Sequence, residues 1–261
     1  MTAKPVIESR TNPLLKRVGA VAAGRERGTL LLEGERLVRD ALRAGWPLEL
    51  LLVDEAAGVS LDAFEGDVEE RRTVGAGLLG RVSALKTSPG VLALAAAPPP
   101  RALRDIPLAA DALVLVIAGV SDPGNLGALV RSAEAAGAAA VCVVAGGASP
   151  WTPRALRGSM GSSLRVPMTH PGSADALAED LVALDFRSVR AVTRGGAGWR
   201  GFDWSGRVAL WVGAETGDEP ATMAGLEGVS IPMAGDVESL NVTVATSLLL
   251  FAAGRAEERA S

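Results

Sequence analysis

Ala112-Leu-Val-Leu-Val-Ile-Ala118 is the stretch on which the reading of the fold turns. It is a continuous apolar run with no polar alternation, and it is too short for an ordinary helix. It reads as a strand buried on both faces, as in a parallel sheet. The loop Gly119-Val-Ser-Asp-Pro-Gly124 leads from it into a helix expected over 125–136, with Leu126, Leu129, Val130 and Ala133 as its apolar stripe. Further strands are expected at 139–144, 187–193, 208–212 and 229–232, and further helices at 153–160, 174–183 and 239–253. This alternation predicts a parallel sheet with helices on both faces.

The first hundred residues show a second, smaller α/β pattern. Asn12 or Thr11 suits a helix N-cap with Pro13 at the first helical position. Leu14, Leu15, Val18, Val21 and Ala22 then follow at helical spacing. Strands are expected at 29–33, 48–53 and 91–95, with a helix that carries Leu37, Val38, Ala41 and Leu42 and ends near Gly45, and another at 78–85. The segment Ala95-Ala-Ala-Pro-Pro-Pro100 can continue neither a helix nor a central strand and favours extended geometry. It reads as a stiff linker running to about 105–107, between a domain over 1–100 and one over 101–261.

Composition excludes several classes. The chain has 261 residues, 48% hydrophobic and 21% charged, which is ordinary globular composition with ample material for a core. Its apolar runs fall short of a membrane span, and its N-terminus shows no charged-then-apolar signal. The single Cys142 lies in an apolar run and the single His170 in an expected loop, so disulfide, metal and histidine-triad chemistry have no support and a reducing cytoplasm fits. Net charge is −4, yet residues 1–43 carry nine Lys or Arg against five acids. A local basic face on an acidic protein engages phosphates; the alternative is a solvated helix surface.

Three segments carry candidate chemistry. In Asp122-Pro-Gly-Asn-Leu-Gly-Ala-Leu-Val-Arg131, Asn125 suits an N-cap, and Gly127 and Arg131 share a helix face. An arginine early in a helix opposes the helix dipole, which points to an anionic partner; a surface pair with Asp122 or Glu134 is the plain alternative. In Val212-Gly-Ala-Glu-Thr-Gly217, glycines at a strand end allow close ligand approach, and Glu215 can accept a hydrogen bond or pair with Arg131. In Ser239-Leu-Asn-Val-Thr243, Ser239 can cap the last helix, and Asn241 can cap locally or donate to a substrate oxygen. Gly195-Gly-Ala-Gly198 reads as a flexible turn.

Taken in order, these segments resemble the SpoU (TrmH-like) family of RNA ribose 2′-O-methyltransferases, within the SPOUT superfamily. The family pattern Asn-x-Gly-x-x-x-Arg falls on Asn125, Gly127 and Arg131, and the Gly-x-Glu turn falls on Gly213 to Gly217. There the second glycine follows Glu215 by two residues rather than three. Ile231-Pro-Met233 and Ser239-Leu-Asn-Val242 match the third motif, and Arg157-Gly-Ser-Met-Gly-Ser-Ser163 is similar to the family's connecting segment. Ser9-Arg-Thr-Asn-Pro-Leu-Leu-Lys16 and Glu33-Gly-Glu-Arg36 resemble its substrate-binding domain, which has a ribosomal-protein-like α/β fold.

The resemblance implies a C-terminal parallel-sheet SPOUT domain with a trefoil knot, S-adenosylmethionine as methyl donor, and a homodimer. It implies that Gly213, Ile231 and Leu240 contact the donor, with Thr193, Met233 and Val242 near it. Asn125, Arg131, Glu215, Ser239 and Asn241 become the catalytic set. The family assigns Arg131 the role of base. Guanidinium chemistry favours instead a fixed cation that holds phosphate and stabilises a developing alkoxide, because arginine stays protonated. RNA contacts are expected from Arg10, Lys16, Arg17, Arg25 and Arg36, since Trp46 and Phe64 are the only aromatics of the first domain. The layout resembles large-subunit ribosomal RNA methylases more than tRNA ones. A non-catalytic RNA-binding or assembly protein is the rival from another class, and a nucleotide-binding dehydrogenase is disfavoured by the lack of a Gly-rich dinucleotide turn.

Overall fold

A computed structural model describes residues 5–214 and 219–254. They group into two compact units. The first comprises the chain up to Pro99 together with Trp151–Arg165, and the second comprises Pro100–Pro150 and the chain from Val166 onward.

In the first unit, helix α1 (Pro13–Ala22) starts where the Asn12 side chain accepts from the Leu14 amide at 2.9 Å. Strand β1 (Thr29–Glu33) leads through Gly34, at φ 102, into helix α2 (Glu35–Arg43). Strands β2 (Leu48–Asp54), β3 (Val68–Val74) and β4 (Val91–Ala96) complete a sheet of order β1-β4-β2-β3. β4 runs antiparallel to both its neighbours, and β2 and β3 are parallel. Alternation sorts the central strands. Leu50, Leu52, Leu92 and Leu94 pack with the buried face of α1, while Leu51, Val53, Val91 and Ala93 pack with α2.

One strand of this region has no counterpart in the sequence pattern, and one expected helix is corrected. β3 was not foreseen because Val-Glu-Glu-Arg-Arg-Thr-Val lacks apolar alternation. It is held as an edge strand by Arg71, which donates to the Leu61, Phe64 and Gly66 carbonyls. The helix expected over 78–85 is only a 3-10 turn at Leu79–Arg81. Beyond it the Glu33 carboxylate accepts from Ser83 Oγ and the Ala84 amide at 2.7 and 2.9 Å, which turns the chain away from helical continuation.

The second unit opens with β5 (Leu113–Ile117), α3 (Pro123–Ala135) and β6 (Ala140–Val143). The N-cap of α3 is Asp122, whose side chain accepts from the Asn125 amide at 2.8 Å; Asn125 is inside the first turn rather than at the cap. The chain then leaves for the first unit as α4 (Pro153–Gly158). There Leu156 and Leu164 join the α2-side core, Trp151 and Trp46 lie with ring centroids 6.0 Å apart, and Trp46 Nε1 donates to the Leu164 carbonyl at 2.9 Å. Trp151–Arg165 therefore clusters with the first unit, although the linear division of the chain assigned it to the second domain; two tryptophans and two leucines anchor it there.

The remaining elements are β7 (Met168–Thr169), α5 (Ala174–Ala183), β8 (Arg187–Val192), β9 (Ala197–Gly198), β10 (Val208–Val212), α6 (Ala221–Ala224), β11 (Glu227–Ser230) and α7 (Val242–Ala253). The sheet is parallel throughout, in the order β7-β6-β5-β10-β8-β11-β9. One face packs Leu115, Val141 and Leu210 against Leu126, Leu129 and Val130 of α3 and Leu249 and Leu250 of α7. The other packs Val114, Val116, Ala209 and Trp211 against Leu177 and Leu181 of α5. Cover on both faces is why β5 and β10 read as unbroken apolar runs. Burial in β6 pushes the Cys142 thiol up to about 12, so it is inert at neutral pH. The chain at 195–198 is not a loose turn: a Cβ on Gly196 would lie 2.7 Å from the Gly228 carbonyl, and β9 pairs with β11. Among the described residues, no helix is long and apolar enough to cross a membrane.

Trp46→Ala removes the ring against Trp151 and the hydrogen bond to Leu164. It is expected to lower unfolding free energy by about 2 kcal/mol or more. Urea titration followed by tryptophan fluorescence measures it, and a loss below about 0.5 kcal/mol, the size of an ordinary surface substitution, would show that the pair does not hold the segment.

Candidate active site

Parallel strands bring their carboxyl ends to one edge, and in open α/β sheets ligands bind there. At this edge the ends of β8, β10 and β11 and the start of α7 enclose a cavity of about 580 Å³. Its size falls within the usual range of about 300–1,000 Å³ for small-molecule sites. Val212, Val229, Ile231, Met233, Leu240 and Leu249 supply apolar wall, and backbone of the loops after β10 and β11 is reachable between them.

The structure brings together most of the residues singled out from sequence. Thr193, Gly213, Ile231, Met233, Leu240 and Val242 all line the cavity, as do Ser239 and Asn241. Asn125 and Arg131 stand on α3 and are not part of this lining. Arg131 is exposed, and among the described residues no ion pair joins it to Asp122 or Glu134. Glu215 lies outside the described residues.

Asn241, not Ser239, caps α7. Its Oδ1 accepts from the Thr243 amide at 2.8 Å, and the helix starts at Val242 rather than at 239. Because the carbonyl oxygen is committed to the helix, the amide nitrogen of the same side chain is left as a donor at the cavity wall. α7 is held against α3 on its other side by Ser132 Oγ and Ser247 Oγ at 2.7 Å. The cap therefore stands on a packed helix pair rather than on a free loop.

Three charged wall residues were missed from sequence: Arg190, Arg194 and Glu219. Arg190 Nη1 lies 3.2 Å from Glu219 Oε2. A signal was available, since an arginine inside a strand of a doubly covered sheet needs a nearby anion. Glu219 also explains a glycine. A Cβ at position 213 would lie 2.6 Å from Glu219 Oε1, so only glycine leaves room for that carboxylate.

The basic residues expected to meet RNA divide into two kinds. Arg10, Lys16, Arg25 and Arg36 are exposed. Arg17 is not a free cation: it pairs with Glu26 and Glu49, and those carboxylates, Glu49 foremost, raise its guanidinium above the ordinary value. The aromatics are also committed. Phe64 is buried under the Arg39 guanidinium, and Trp46 packs on Trp151. Among the described residues there is no group of three or more His, Cys, Asp or Glu that could hold a metal ion.

The SpoU rRNA Methylase family model matches residues 112–251, and the MRM3-like substrate binding domain model matches residues 12–93. The chain is 28% identical over 250 residues to the 23S rRNA (guanosine(2553)-2′-O)-methyltransferase RlmP of Bacillus subtilis (strain 168), covering 94% of this chain and 97% of that protein. The crystal structure of an AdoMet-bound rRNA methyltransferase from Sinorhizobium meliloti superposes with a TM-score of 0.83 at 28% identity, over 95% of this chain and 97% of the other. A solved RNA 2′-O ribose methyltransferase gives a TM-score of 0.78 at 32% identity, over 95% and 98% of the two chains.

The cap makes a prediction separable from chemistry. Asn241→Ala is expected to cost about 1 kcal/mol of stability, while Asn241→Asp, which keeps an accepting oxygen, stays within a few tenths. Thermal denaturation of both variants measures this; equal losses would show that the cap contributes nothing.

Proposed function

The chain belongs to the SpoU rRNA methylase family, and from that premise we propose that it transfers the methyl group of S-adenosylmethionine to a ribose 2′-hydroxyl of RNA, with large-subunit ribosomal RNA as its substrate. The observation that carries this reading is the carboxyl-end cavity, lined by Gly213, Ile231, Leu240, Ser239 and Asn241 together. Its residues fit the donor. The apolar wall suits an adenine ring, and the loop backbone and Arg190, whose Nε is buried without a partner, offer polar groups. Gly213, Ile231 and Leu240 would hold the donor chiefly by backbone, with Thr193, Met233 and Val242 closing around it. S-adenosylmethionine supplies a methyl already activated by a sulfonium charge.

What this chain must do is orient the acceptor and exclude water. Alignment of reacting groups is worth up to about 7–11 kcal/mol in favourable cases. Asn241 donates from the nitrogen its cap leaves over, and Ser239 and Asn125 help fix the ribose hydroxyl. Arg131 holds an RNA phosphate and stabilises charge developing on the oxygen. Its exposure, and the lack of an ion pair to a described residue, leave it available for this. Glu215 belongs to the same proposed set.

The first unit is proposed to bind the RNA. Arg10, Lys16, Arg25 and Arg36 contact the phosphate backbone, and recognition there rests on shape and charge because its aromatics are already packed. Arg17 contributes to the fold rather than to RNA. The trefoil knot and a homodimer belong to the same reading, as does a cytoplasmic location. For the dimer, Val244, Leu248 and Phe251 recur on one side of α7 and are 49%, 38% and 58% exposed. An apolar stripe of that kind marks an interaction surface. Sedimentation equilibrium is expected to give a dimer that Phe251→Asp converts to monomer; a monomeric parent protein would refute this part.

The purified protein with labelled donor is expected to methylate one ribose in total RNA. Asn241→Asp, neutral for stability, should cut transfer by about 10²–10³-fold, the size seen when one oriented donor is removed. Arg131→Ala should be inactive and Arg131→Lys measurably active. A dead Arg131→Lys that still binds RNA and donor normally would rule out the fixed-cation role.

A further inference from the structure

Glu219 stands in the cavity wall outside the three family motifs, and its environment differs for its two oxygens. Oε2 is held by Arg190 Nη1 at 3.2 Å. Oε1 rests over Gly213, 2.6 Å from where a Cβ would stand, and among the described residues no donor reaches it. A carboxylate can accept several hydrogen bonds, so Glu219, anchored through Oε2, keeps acceptor capacity at the cavity wall. Arg190, on β8, is in turn fixed by the parallel register Trp211↔Arg190 with β10.

The wall selects what that acceptor takes. Among the described lining residues Glu219 already has a cation of its own in Arg190, so a second cation gains less from this carboxylate than from an unpaired one. A neutral vicinal diol is suited to the site, because a carboxylate accepts from adjacent hydroxyls, as acidic residues do with ribose in dinucleotide sites. Resting on the reading that this cavity takes S-adenosylmethionine, we propose that Glu219 accepts the ribose hydroxyls of the donor's adenosine, with Arg190 as the residue that positions it. The lack of a side chain at Gly213 then has two uses: it leaves room for the carboxylate and lets the sugar approach the backbone.

Isothermal titration of the full chain with S-adenosylhomocysteine, its 2′-deoxy and 3′-deoxy counterparts, and a counterpart lacking the α-amino group tests this without relying on turnover. The unaltered protein is expected to bind the deoxy compounds about 10- to 100-fold more weakly than the parent, the range for a hydrogen bond to a charged group. Glu219→Ala should bind the parent compound that much more weakly and no longer distinguish it from the deoxy forms. Glu219→Gln, which keeps a neutral acceptor and carries the test should Glu219→Ala fail to fold, should fall between. Arg190→Ala should weaken binding and Arg190→Lys recover most of it. Unchanged discrimination against the deoxy compounds in Glu219→Ala would overturn the assignment, as would a loss of discrimination confined to the amine-lacking compound. Failure of the unaltered protein to bind S-adenosylhomocysteine at all would instead overturn the donor reading, and this assignment with it.

Discussion

Burial of the parallel sheet on both faces is the constraint from which the rest of the second unit follows. Leu113, Val114, Leu115 and Val116 of β5 and Val208, Ala209, Leu210 and Trp211 of β10 are fully buried. Nothing polar can act from such strands without a costly desolvation. Chemistry is thereby displaced to the edge where the strands end. The ladders set that edge, because Val212 pairs with Ile117 and Trp211 with Arg190. Residues remote in sequence, such as Thr193, Gly213 and Ile231, consequently arrive around one cavity.

Within that cavity several residues are used twice. Asn241 closes the start of α7 with its oxygen and keeps its nitrogen for the wall. Arg190 is tied to Glu219 yet retains a buried, unpartnered Nε. Economy of this kind couples site to fold, since α7 is packed on α3 through Ser132 and Ser247, and α3 carries Asn125 and Arg131.

How much of this was legible depends on what each segment exposes. Strands buried on both faces declare themselves, so β5, β6 and β10 are readable from their apolar content. β3 is not, because its Glu and Arg run shows no apolar face, and its arginines are held by carbonyls of Leu61, Phe64, Gly66 and Pro5 that no periodicity reveals. The start of α7 was misplaced because Ser239 and Asn241 are both good caps, and only the backbone path decides between them. The ion pairs of Arg17 were not legible because its partners Glu26 and Glu49 lie 9 and 32 residues away. Trp46 is similar, since its partner carbonyl at Leu164 is 118 residues distant. Gly213, Ile231, Met233, Ser239, Leu240, Asn241 and Val242 of the cavity lining were nameable because three motifs occur in one order; the charged wall of Arg190, Arg194 and Glu219 falls outside those motifs.

The central claim is that the edge of the sheet, at the ends of β8, β10 and β11, holds the methyl donor. A crystal structure of the full chain grown with S-adenosylmethionine tests it most directly. The account predicts density for the donor between Gly213, Ile231 and Leu240, with its sugar beside Glu219. Donor bound elsewhere on the chain, with this cavity filled only by solvent, would contradict it.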